Sequence, residues 1–151
     1  SVAWQPSGTS NLHSTTADKF SMWTYDLPAG SSTPTPDVVF DRAGGFAYHC
    51  RIHGSMRGTV MIQLSPNDTT PVVGQTITIT FALNAASPGF AEQIQKRKAD
   101  GTWRNLSAAD TGTSVAWMAP SAKTFQFRAR LVQGGVMSSW SPTLQLTVTA
   151  N

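Results

Sequence analysis

Cys50 is the only cysteine in the chain, and it is followed by His53 and then by Met56. A thiolate, an imidazole and a thioether in one short stretch form a donor set that selects copper, because soft sulfur ligands favour it. Zinc is poorly served by a thioether. Electron-transfer copper centres use two His and one Cys in a trigonal set, with a weak, long axial Met. The stretch supplies Cys, Met and one of those histidines, and His13 is the natural second one. The expected ligands of a single copper ion are therefore His13, Cys50, His53 and Met56. His49 directly precedes Cys50, and strand alternation turns it to the opposite face, so it is not counted as a ligand. The competing reading of the same residues is a buried free thiol, a surface histidine and a core methionine.

These donors need elements to hold them. Cys50 should leave the end of a strand over 45–49, with His53 and Met56 on the turn that follows. Gly54 would let that turn close, since glycine tolerates backbone angles that other residues avoid. Gly58 would restart the chain into a strand over 58–64. His13 comes from an earlier strand, near 12–15, so only the fold can bring it close. A ligating histidine usually has a partner on its other ring nitrogen, and Asn11, Ser14 or a backbone carbonyl could provide it for His13. Further strands are expected near 1–5 and 37–40, with a loop over 29–36.

Period-two alternation continues through the second half of the chain. Ile77, Ile79, Phe81 and Leu83 share one face of 75–83, and Phe125, Phe127, Ala129 and Leu131 share one face of 124–131. The stretch 143–148 alternates in the same way. Asp100-Gly101 between two such runs signals a hairpin. Turn formers take over around 65–71. The expected organisation is a domain over 1–65, a linker over 66–71 and a second small β-sandwich over 72–151. No helical periodicity competes with this all-β reading.

Of the 151 residues, 13% are charged, about half the usual share. The low charge and the abundant Thr, Ser, Gly and Pro fit an exported protein: periplasmic, cell-surface or extracellular. Any leader would then have been removed. The net charge is +3. No aromatic-basic stripe supports nucleic-acid binding, and Lys96-Arg97-Lys98 reads as a solvated strand end. A single Cys excludes an intrachain disulfide and leaves the thiol free, intermolecular or metal-bound. No apolar run reaches the ~18 residues of a membrane helix.

The run Tyr48-His49-Cys50-Arg51-Ile52-His53-Gly54-Ser55-Met56-Arg57-Gly58-Thr59-Val60 resembles the ligand loop of cupredoxins, most closely the amicyanin type. Val2-Ala3-Trp4-Gln5, with His13 and Ser14, resembles the family's strand that ends in the first copper histidine. The resemblance implies a cupredoxin-like Greek-key β-sandwich over about 1–64, with copper held by His13, Cys50, His53 and Met56. Two departures stand out. Ser14 occupies the place where many cupredoxins carry an Asn that ties the two ligand loops together. Only 12 residues precede His13, where the family usually has two more strands. The resemblance thus implies an N-terminally incomplete sandwich, whose missing strands were trimmed or are supplied by another chain at an open sheet edge. The region 70–151 resembles a fibronectin type III or immunoglobulin-like module, through Asp100-Gly101-Thr102-Trp103, 125–130 and Ser138-Ser139-Trp140-Ser141-Pro142. Trp103 and Trp140 would either pack on the sandwich or contact a partner or sugar.

The leading expectation is a type 1 blue-copper electron carrier and not an enzyme. Electrons would pass through the exposed edge of His53, and Ile52, Gly54, Ser55 and Pro28 would form a docking patch for a redox partner protein. The alternative is an extracellular structural, adhesion or assembly protein in which the cupredoxin fold is a scaffold. Three histidines cannot build a trinuclear oxidase centre. No nucleophile–base pair, paired-carboxylate motif or phosphate loop points to other catalysis.

Overall fold

The computed structural model describes residues 1–6 and 10–151. Among the described residues the secondary structure is strand alone, in sheets of four, five and three antiparallel strands. Among the described residues no helix is long and apolar enough to cross a membrane. The chain divides into two units. The first takes 1–40 and 46–60, and the second takes 41–45 and 61–151.

In the first unit, β1 (His13–Ala17) pairs with β2 (Thr24–Leu27), with His13 opposite Leu27 and Thr16 opposite Thr24. On its other side β1 meets β3 (Gly44–His49), and β4 (Arg57–Ile62) follows in the order β2-β1-β3-β4. The β1–β2 connection contains Phe20 and Ser21, both left-handed at φ 64° and 49°. The segments 1–5 and 37–40 do not form the continuous strands that alternation suggests. They make one bridge, Val2–Val38, with reciprocal hydrogen bonds of 3.0 and 2.9 Å. Pro34, Pro36 and Pro6 explain the brevity, because each removes a ladder donor. Trp4, Trp23 and Tyr48 gather, with the Trp4 ring 5.2 Å from each of the other two. Trp23 is buried, and its indole N–H donates to Thr15 Oγ1 at 3.1 Å, which satisfies the polar end of that ring.

In the second unit, β5 (Ser65–Pro66), β6 (Thr76–Thr80) and β9 (Ser114–Met118) form one sheet. The other sheet contains β7 (Phe90–Arg97), β8 (Trp103–Asp110), β10 (Thr124–Gln133), β11 (Val136–Met137) and β12 (Leu144–Thr147). The inward alternate residues of both sheets share one core, including Ile77, Ile79, Ile94, Phe125, Phe127 and Leu146. Asp100-Gly101 closes the β7–β8 hairpin, with Gly101 at φ 84°. Within the segment expected as a linker, Pro66 belongs to β5 and Pro71 is fully buried. Leu83 is 76% exposed, not inward. The β6 ladder ends at Thr80, and Phe81 and Ala82 both donate to the Thr113 carbonyl, which breaks the period-two alternation.

Trp103 and Trp140 sandwich the Arg128 guanidinium at 4.1 and 4.0 Å, and Arg130 lies 4.2 Å from Trp140. Gln95 and Gln93 accept from Arg128 and Arg130 respectively. These tryptophans pack a sheet face through cation–π contacts. Glu92 shares the inward parity of Ile94 and is fully buried. Arg42 Nη1 stands 3.8 Å from its carboxylate, too far for a hydrogen bond, and neither carboxylate oxygen has a hydrogen-bond partner. Burial pushes the Glu92 carboxyl up to about 8, against the pull of Arg42.

Candidate metal centre

Cys50 follows β3 directly, and His13 opens β1, so two adjacent strands deliver the thiol and one imidazole to the same end of the sheet. The loop after Cys50 closes on itself. The Cys50 N–H donates to the Met56 carbonyl and the Met56 N–H to the His53 carbonyl, each at 2.9 Å. This double tie returns His53 towards the thiol. Gly54 contributes no left-handed angle, and a Cβ there would meet open space, so the turn closes without needing a glycine. Gly58 is required for a different reason. A Cβ at Gly58 would run into the Tyr48 ring.

One ligating atom from each of His13, Cys50 and His53 lies within 4.8 Å of the other two. Cys50 Sγ is 3.6 Å from His53 Nδ1, and the two imidazole rings are 4.7 Å apart. His13 Nδ1 is buried and has no hydrogen-bond partner. A buried, unpartnered acceptor or donor is costly, and this one belongs to the ligand cluster. Met56 is half-exposed and lines the same hollow as His13 and Cys50. His49 stands apart from the cluster, paired through Nδ1 with Asp18 at 2.5 Å.

Burial alone would raise the pKa of the Cys50 thiol. The N–H groups of Ser14, Ile52 and His53, together with the His53 ring, outweigh this and lower it to about 5. The Ser14 N–H donates to Sγ at 3.3 Å, and the Arg51 N–H donates to Ser14 Oγ at 2.8 Å. Ser14 therefore turns to the thiol and its loop. This hydroxyl ties β1 to the loop after Cys50. Its signal in the sequence was only its position next to His13. Arg51 also pairs with Asp26 of β2. The donor set of two imidazoles and one thiol with a depressed pKa, with Met56 lining the same hollow, fits copper by its softness.

No protein-family model matches the chain, and no curated protein does. Among solved structures, the PKD domain of an M14-like peptidase from Thermoplasmatales archaeon SCGC AB-540-F20 aligns with 60% of this chain and 99% of its own. The identity is 22% and the TM-score 0.37. The BSP domain of a biofilm associated protein aligns with 92% of this chain at 13% identity and a TM-score of 0.36. The match spans 24% of that second structure. Scores at this level assign neither a fold family nor an activity.

Proposed function

We propose that the first unit is a cupredoxin-like domain holding one type 1 copper, and that the protein carries single electrons. The observation that supports this best is the convergence of His13, Cys50 and His53, with His13 Nδ1 buried and unpartnered. Met56 completes the set as the weak axial donor. When bound, copper supplies a one-electron Cu(I)/Cu(II) couple and leaves substrate bonds untouched. The chain's part is to present an already ionised thiol, fix it by the Ser14 N–H and hold the two imidazoles around it. A site tied by short hydrogen bonds changes little between oxidation states, which suits electron transfer. His53 is half-buried, its loop neighbours Ile52, Gly54 and Ser55 are exposed, and so is Pro28 just after β2, which suits brief docking of a redox partner protein. Export to the periplasm, cell surface or outside the cell is part of the same reading.

The test is Cu(II) titration of the purified protein, followed by visible absorption and electron paramagnetic resonance. An intense thiolate-to-copper band with a narrow copper hyperfine pattern is expected, and both should vanish in Cys50→Ser. A protein that stays colourless with copper overturns the proposal. The second reading is a surface structural or assembly protein with a cupredoxin scaffold. It draws on the second unit, whose described residues contain no cluster of ligating side chains. Copper that raised thermal stability without exchanging electrons with a soluble redox dye would favour it.

A further inference from the structure

The basic run at the end of β7 does not stand alone. Lys96 lies directly opposite Arg104 in the β7–β8 ladder, so two cations share one face. Like charges in that relation destabilise a sheet. Lys123, just before β10, reaches the same place. The Lys96 and Lys123 ammonium groups lie 5.7 and 5.1 Å from the Phe125 ring, and Lys96 also lies 5.8 Å from Trp117. Lys96, Arg97, Lys98, Arg104 and Lys123 together line a hollow of about 670 Å³ that has no acidic side chain in its wall. Among the described residues none of the five has an ion-pair partner. Asp100 of the adjoining turn is engaged with the N–H and hydroxyl of its neighbour Thr102, at 2.8 and 2.6 Å.

We propose that this hollow binds a ligand carrying two or more adjacent oxyanion groups, as phosphate or sulfate esters. Asp100 acts electrostatically on Lys98. Lys96, Arg97, Arg104 and Lys123, held close with no ion-pair partner among the described residues, repel one another, and a multivalent anion removes that cost. Lysines act as point charges, and the Arg104 fork matches an oxyanion in bidentate fashion, whereas Arg97 already donates to the Gly101 carbonyl and to Gln126 Oε1, each at 3.0 Å. Phe125 is buried and turns its face to the two ammonium groups. It therefore offers no stacking platform for a nucleic-acid base. The site is a pocket for clustered anions rather than a track for a strand.

The experiment is calorimetric titration of the full chain with inorganic tripolyphosphate and, separately, with sucrose octasulfate, at low and raised ionic strength. Saturable binding at one site is expected, weakened by salt. The double variant Lys96→Gln/Lys123→Gln should lose about tenfold or more in affinity, as expected for two lost charge-assisted contacts. The variant Lys19→Gln/Arg57→Gln removes the same charge elsewhere and should bind as the parent does. Exposed Arg104→Gln must lose affinity too, which keeps the test valid if the double variant does not fold. Tighter binding of one probe assigns the phosphate or the sulfate class. No saturable binding of either probe, or equal weakening by the two double variants, overturns the proposal.

Discussion

At the loop after Cys50 the Ser14 hydroxyl accepts the Arg51 N–H and makes a long 3.9 Å contact to Cys50 Sγ, while the Ser14 N–H donates to Sγ at 3.3 Å. Removing the hydroxyl leaves the shorter of the two sulfur contacts in place. Ser14→Ala removes only the hydroxyl and leaves a partly buried N–H without its acceptor, a loss of about 1 kcal/mol. Urea unfolding of the metal-free protein should register that loss. The thiol should still titrate well below its ordinary range, because the Ser14 backbone donor remains. Ultraviolet absorbance of the thiolate across a pH series checks this. A variant whose thiol returned to its ordinary value would show that the hydroxyl, not the amide, governs Cys50. At this scale the sequence was highly legible, because Cys, His and Met lie within one loop whose closure is local. His13 could be named only as the remaining suitable donor. Its approach depends on β1 lying beside β3, which no local pattern encodes.

Among the elements, the β1–β2 hairpin is where the pattern was silent. The stretch 12–15 alternates too briefly to announce a pair, and no Asn-Gly or Asp-Gly marks the turn. The turn is made instead by Phe20 and Ser21, both left-handed, at a steric cost of roughly 1–2 kcal/mol per residue. Ser21→Gly should therefore stabilise the first unit by about 1 kcal/mol, read as a higher urea midpoint at unchanged m-value. An equal or lower midpoint would show that Ser21 pays its way through other contacts. In the second unit the long alternating runs were legible because each buries one full face. The pattern failed at Leu83, where two consecutive N–H groups share one carbonyl and reverse the inside–outside order. Like-charge opposition of Lys96 and Arg104 was hidden for another reason: it depends on the register across a hairpin, not on the run itself.

For the molecule as a whole, two buried acids set opposite trends of stability with pH. The Cys50 pKa is depressed from 9.0 to about 5 in the fold, so its contribution is complete above 9 and is lost as pH falls towards 5. Glu92 is raised from 4.5 to about 8, so its contribution is complete below 4.5 and is lost as pH rises towards 8. The raw profile of the metal-free protein mixes the two. The difference between wild type and Glu92→Gln isolates the second. The variant should gain on wild type between pH 5 and 8, by on the order of a few kcal/mol, and level off above. A difference that did not change with pH would mean that Glu92 ionises freely beside Arg42. The inward parity of Glu92 with Ile94 was a visible sign of its burial, whereas Arg42 comes from far away in sequence. That distance reflects how the chain is shared out. The second unit owns 41–45, and the first resumes at Phe46 on the same strand. No single cut in the gene therefore releases either unit whole. A truncation meant to deliver the Cys50 loop alone carries five residues of the other unit in its middle.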